Sequence, residues 1–276
     1  MLQPTKRFPR RAPLHTRRMV CPVAREFYAS TLRALVAERV PLLVGGAFAL
    51  KHYAGITRDT KDLDVFLRRS DLPQTLGVLE ARGFQAEITF PHWLAKAYYG
   101  EHFVDLIFNS ANGLCAVDDA WFENAVRIKI FDVNALLCPI EEVIWTKCFV
   151  MERERFDGAD ICHLIEAKGE TIDWRRLIAR FGENWRVLLG HLVFYSFVYP
   201  GKRESVPTWV MDELLGRMQA GRYAEDAGVC RGTLVSREQY LIDVRARGYG
   251  DARIPPWGEV PEPDIELWTD AIGKGR

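Results

Sequence analysis

Apolar and polar positions along the chain fall into two textures. Over 24–39, AREFYASTLRALVAER, the apolar spacing suits an amphipathic helix. PLLV then reads as a short buried strand ending at two glycines, and AFALKHY as the helix they open. DLDVFL is a strand. DLPQTLGVLEARG follows as a helix starting near Ser70 or Asp71, with Pro73 in its first turn and Gly83 closing it. FQAEITF, AKAYYG, HFVDLIFN and VRIKIFD complete a set of short strands. After Pro139 the pattern lengthens to helical periods over 140–152, 158–168, 173–181, 184–198 and 207–219. The fold class is therefore α/β (α+β), a small mixed-sheet core followed by a helical domain.

The expected organisation is a flexible basic arm over 1–20, the sheet core over 21–138, the helical domain over 139–225, and a C-terminal helix and tail over 226–276. In that last part, SREQYLIDVRARG has Ser236 at an N-cap position and Gln239 three residues on, a capping box. The proline-rich IPPWGEVPEP is expected to run extended over the surface. Composition, 48% hydrophobic and 27% charged, is that of a globular protein rather than a disordered one. No apolar run approaches a membrane span, and none follows the basic N-terminus as a signal segment would, so the expected location is cytoplasmic. Six cysteines (Cys21, Cys115, Cys138, Cys148, Cys162, Cys230) form no C-x-x-C pair, which argues for buried thiols over a zinc site or a disulfide framework. Formal charge is zero but uneven. Lys6, Arg7, Arg10, Arg11, Arg17 and Arg18 crowd the first 18 residues, leaving 31 basic against 37 acidic groups elsewhere, a net of about −6. Such a body is not a broad nucleic-acid platform, although the arm could touch phosphates.

Charge also appears where burial is expected. The strand period of two puts Asp62 and Asp64 on one face of DLDVFL, with Leu63 and Val65 on the other. Adjacent carboxylates repel unless neutralised, and a hard divalent cation with oxygen ligands does that well. Asp105, in the apolar strand HFVDLIFN, would complete a cluster of three if the strands are neighbours. Two ions held about 3.5–4 Å apart could then clamp an in-line displacement at phosphorus. Upstream, Gly45 and Gly46 join a strand to a helix, letting backbone approach a phosphate closely.

These residues resemble the nucleotidyltransferase superfamily typified by DNA polymerase β, whose signature is an apolar strand, a glycine pair, D-h-D/E (h is apolar) and a later strand carboxylate. Gly45, Gly46, Ala49, Tyr53, Arg58, Thr60, Asp62 and Asp64 occur in an order similar to the branch holding nucleotidyltransferase toxins of bacterial toxin–antitoxin pairs. PIEEVIWTKCFVMERERFDGADICHLI then matches that branch's lysine helix, basic stretch and aspartate helix through Lys147, Arg153, Arg155, Asp157 and Asp160. The resemblance implies a nucleotidyltransferase core with Asp62, Asp64 and Asp105 as catalytic metal ligands for two Mg²⁺ or Mn²⁺ ions. It implies a nucleoside triphosphate, ATP included, as substrate, met by Gly45, Gly46, Arg58, Thr60, Lys147 and Asp160. Arg58 and Thr60 could bond phosphate or only fix the loop. Asp157 could cap its helix, and Asp160 could orient Lys147 or the acceptor. His163 reads as a packed helix histidine. The acceptor hydroxyl belongs to a small molecule, an RNA end or a protein, and an antitoxin-like protein partner is a further implication. Two other readings share the D-x-D: a metal-dependent glycosyltransferase, and a silent nucleotide-binding relative acting as an interaction module.

Overall fold

The computed structural model describes residues 22–272, apart from 59, 61 and 222–227. The basic arm expected over 1–20, and Cys21, lie outside the described residues.

Alternation of apolar and polar residues produces a seven-stranded mixed sheet. Its strands are β1 (Leu43–Val44), β2 (Asp64–Phe66), β3 (Gln85–Phe90), β4 (Leu94–Tyr99), β5 (His102–Ile107), β6 (Val126–Ile130) and β7 (Val133–Leu137), ordered β3-β4-β5-β2-β1-β7-β6. β2 lies parallel to β5 and antiparallel to β1, whereas β4 lies antiparallel to both β3 and β5. One face is closed by α1 (Pro22–Ala37) and α3 (Leu72–Glu80). On that side Leu63, Val65, Ala95, Ala97, Val104 and Leu106 are buried completely, anchoring the central strands. At about 25 cal/mol per Å² of apolar surface removed from water, this layer dominates the stability of the sheet.

Two elements depart from the sequence reading. β7 was not expected; the strand read over VRIKIFD ends at Ile130, where Phe131 and Asp132 take positive φ and return the chain as a second strand. α4 (Asp119–Glu123) is too short to show a helical period.

The helical part follows the expected pattern except at its start, where the helix expected over 140–152 ends at Cys148: α5 (Ile140–Cys148), α6 (Gly158–Lys168), α7 (Trp174–Phe181), α8 (Trp185–Val198) and α9 (Thr208–Ala220). Helix α2 (Gly46–Ala54) packs on α6, and a continuous core joins the sheet to these helices. The first turn of α5 carries two buried acids. Arg176 of α7 pairs with both Glu141 and Glu142, while Arg180 Nε donates to Glu142 at 3.0 Å and its terminal nitrogens to Asp118 at 2.6 and 2.8 Å. Buried charges are tolerable only when paired in this way. Among the described residues no helix is long and apolar enough to cross a membrane. Cys115, Cys138, Cys148 and Cys162 are buried free thiols, and Cys230 is half-buried and free.

The proline-rich tail does not run extended. After β8 (Val229–Cys230), α10 (Leu241–Arg247) and β9 (Gly250–Asp251), residues 252–257 turn sharply, and Pro261 caps α11 (Glu262–Asp270) with Pro263 in its first turn. Proline there loses nothing, since first-turn N–H groups have no helical acceptor. Val260, Ile265 and Trp268 build a second small core with Phe90 and Trp93 at the sheet edge. Arg253, 1% exposed, pairs with Asp251 and stands over Trp268. The same segment reaches the helical side: Met151 N–H donates to the Val235 carbonyl at 3.0 Å, and Ser236 Oγ to Glu152 at 2.7 Å. Ser236 does accept from Gln239 N–H at 3.2 Å, but the helix begins only at Leu241, after an intervening turn.

Trp268→Ala should cost about 3–5 kcal/mol through the cavity it leaves. The expected result is a lowered urea midpoint, with protease cutting first within residues 228–272.

Candidate active site

The site is assembled by strand pairing. In the parallel ladder Asp64 stands directly opposite Asp105, so both side chains share one face of the sheet. Asp62 precedes β2 by two residues and keeps the same alternation, being half-buried while Leu63 and Leu67 are fully buried. One carboxylate oxygen from each of Asp62, Asp64 and Asp105 lies within 4.8 Å of the others. Three convergent carboxylate oxygens are a hard donor set of the kind Mg²⁺ or Mn²⁺ prefers. The backbone around them is shaped to fit. Gly46 has φ +53°, and a Cβ there would fall 1.7 Å from Asp64 Oδ2, so the carboxylate occupies the space that any other residue would fill. A Cβ on Gly45 would strike the Phe66 ring at 2.4 Å.

Electrostatics report the crowding. Burial, then the charges of Asp62 and Asp105, push the Asp64 carboxyl up to about 7, against the opposing pull of Lys147 and Arg155. Burial also raises Asp105, opposed by a hydrogen bond and charge from Lys96. Lys96 Nζ donates to Asp105 Oδ1 at 2.6 Å. Nothing in the linear sequence marks that lysine; only the register of β4 on β5, Lys96 opposite Asp105, brings it here.

The remaining expected residues form a belt beside the acids. Lys147 Nζ, on α5, donates to Asp157 at 2.8 Å and to Asp160 at 2.9 Å. Asp157 sits at the N-cap position of α6, yet its side chain makes no cap bond. Its carboxylate instead accepts from Arg155 at 3.1 Å and from Lys147. Burial would raise Asp157, but Arg155 and Lys147 outweigh it and hold the carboxyl below its ordinary value. Asp160 joins Lys147 to Arg58, whose Nη1 donates to it at 3.1 Å. Thr60 Oγ1 donates to Asp62 Oδ1 at 2.6 Å, fixing the first carboxylate. Arg58 and Thr60 therefore have protein partners in this structure. Gly45 N–H is likewise engaged, donating to the Asp64 carbonyl at 3.0 Å, so the N–H groups without a helical acceptor are those of the first turn of α2. Tyr53 OH, from the far end of that helix, donates to the Cys138 carbonyl at 2.8 Å and fixes its tilt. His163 is half-buried on α6, between the buried Cys162 and Leu164.

Residues 29–190 match the model of a family described as uncharacterised nucleotidyltransferase, NTP_transf_5. Among solved structures, the chain is similar to the antibiotic-resistance factor ANT(2'')-Ia, at 17% identity and TM-score 0.45, over 61% of this chain and 96% of that one. It is also similar to an antigenic nucleotidyltransferase-like protein from Paracoccidioides brasiliensis, at 13% identity and TM-score 0.45, over 66% and 93%. A third likeness is to the lincosamide antibiotic adenylyltransferase LnuA, at 15% identity and TM-score 0.38, over 53% and 98%. No curated protein matches the sequence.

Two tests follow from the geometry. Because Asp64 holds its proton more tightly folded than unfolded, it lowers stability progressively as pH rises from about 4 to about 7. At pH 7 this amounts to up to about 4 kcal/mol, a cost Asn does not carry. In chelator, the melting temperature of Asp64→Asn should therefore exceed that of wild type by a margin that grows with pH over that range. Gly46→Ala should lower the melting temperature, from a left-handed backbone cost of about 1–2 kcal/mol and displacement of Asp64. Gly77→Ala, on α3 with nothing within 4 Å of the added carbon, is the control and should be neutral or stabilising.

Proposed function

The chain belongs to the nucleotidyltransferase family whose model spans residues 29–190, and from that membership we propose that it moves a nucleoside monophosphate from a triphosphate to an acceptor hydroxyl in a metal-dependent reaction. The observation that carries this reading is the cluster of Asp62, Asp64 and Asp105 set against the Gly45-Gly46 turn. Family membership displaces the glycosyltransferase alternative.

In this reading Asp62 and Asp64 would hold Mg²⁺ or Mn²⁺, and Asp105 would complete a second cation position. Divalent cations there would neutralise the polyphosphate and lower the pKa of the acceptor hydroxyl. Asp105 accepts the hydroxyl proton; the acceptor oxygen bonds to the α-phosphorus, the bond to the bridging β-phosphate oxygen breaks, and pyrophosphate leaves. The first turn of α2 offers N–H groups to the departing phosphates. Lys147 spends two of its three N–H donors on Asp157 and Asp160, which leaves the third for a phosphate oxygen.

A small hydroxylated acceptor fits the charge better than RNA. Among the described residues, four cations around the acids are already paired: Lys96 with Asp105, Lys147 with Asp157 and Asp160, Arg58 with Asp160, and Arg155 with Asp157. A polynucleotide needs unpaired cations along its backbone.

The test is incubation with each α-labelled triphosphate and Mg²⁺ against pools of aminoglycosides and other small alcohols, RNA and protein. Label should move to the small-molecule pool, stop in chelator, and fall by at least about 10²-fold in Asp62→Asn and in Asp105→Asn. Transfer unaffected by either variant would refute the assignment, and transfer to RNA alone would refute the acceptor class.

A further inference from the structure

The lysine that sequence reading passed over has an environment built around it. Lys96 stands in the centre of a ladder, with Asp105 opposite on β5 and Glu87 opposite on β3. Directly opposed residues of a sheet share a face, so a row of charged positions runs Asp64, Asp105, Lys96, Glu87 across four strands. Of the two acids flanking the lysine, Glu87 is exposed and accepts from Tyr98 OH at 3.0 Å. Asp105 takes the ammonium, at 2.6 Å, with only 20% of the lysine side chain and 15% of the aspartate side chain exposed. Phe103, two residues before Asp105 and therefore on the same face, presents its ring 4.3 Å from Nζ. Carboxylate and aromatic ring thus hold the ammonium between them, where a cation–π contact adds to the ion pair.

A positive charge beside a proposed cation site is costly unless it does something there. By Coulomb's law alone it repels the cation that the three aspartates attract. Yet the hydrogen bond falls on one oxygen of Asp105, Oδ1. A carboxylate fixed through one oxygen has its plane set and its other oxygen committed to a single direction, as outer-shell partners do for metal-binding side chains.

We propose that Lys96 is a positioning residue for the reaction above: it holds Asp105 Oδ1 so that the remaining oxygen serves the cation position and the acceptor hydroxyl. The inference rests on that proposed reaction, and its test separates the two. Lys96→Met keeps the length of the stem and its packing on Phe103 but removes the ammonium. Lys96→Arg keeps a charge and donors. Mn²⁺ is titrated by electron paramagnetic resonance into wild type, both lysine variants and Asp105→Asn, each first checked by its melt.

If Lys96 acted only through its charge, Lys96→Met would bind Mn²⁺ more tightly. As a positioning residue its loss should weaken Mn²⁺ by about 10-fold, the same direction as Asp105→Asn. Lys96→Arg should recover most of that loss. In the transfer assay, Lys96→Met should lower kcat by about 10–100-fold with the nucleotide KM unchanged. Equal or tighter Mn²⁺ binding in Lys96→Met, or a wild-type kcat, overturns the inference. Weakened Mn²⁺ binding in a protein that transfers no label to any acceptor would uphold the placement of Asp105 and overturn the reaction instead.

Discussion

Three carboxylates crowded onto one sheet face repel one another, and much of the surrounding architecture serves to keep them there. The opposite faces of the same strands are completely buried, so strand alternation leaves Asp64 and Asp105 no other way to point. Gly46 vacates the volume that Asp64 occupies, and Thr60 pins Asp62. Burial first, and then the charges of Asp62 and Asp105, raise the Asp64 carboxyl to about 7 against the pull of Lys147 and Arg155, and so register the free energy stored in the arrangement. Such stored repulsion is what a cation relieves on binding, which converts a structural cost into affinity.

Countercharge is supplied from two sides by different means. Lys96 arrives by strand register from β4, one strand in from the sheet edge, whereas Lys147 arrives from α5, with Asp157 and Asp160 holding it upright. The second arrangement depends on the buried acids at the start of α5, because Arg176 and Arg180 of α7 fix that helix through Glu141 and Glu142. A chain of ion pairs thereby links the helical layer to the position of one ammonium group beside the site.

Much of this was legible in the sequence because it rests on local periodicity. Alternation in DLDVFL put both aspartates on one face, and a glycine pair between strand and helix marked the turn. Longer helical periods announced α6 to α9. What the sequence did not reveal depends on pairing between distant segments. Lys96 is one lysine among many until β4 is laid beside β5. β7 was hidden by a tight turn at Phe131 and Asp132. Asp157 has the ideal local chemistry for a helix cap, and a tertiary partner, Lys147, takes its carboxylate instead. Prolines at 255, 256, 261 and 263 suggested an extended tail, but proline also suits sharp turns and the first turn of a helix.

The segment after β8 fastens to both the sheet edge and the loop at Met151 and Glu152. That attachment has a consequence for the order of assembly. On the ribosome every proposed catalytic group, from Gly45 to Asp160, emerges well before Ser236, Arg253 or Trp268. The acids and their cations are therefore made before the segment that fastens to the sheet edge and to the loop at Met151 and Glu152. The brace is made after the residues of the site, so errors in it should show as a loss of durability in the finished enzyme before they show as a misplaced aspartate.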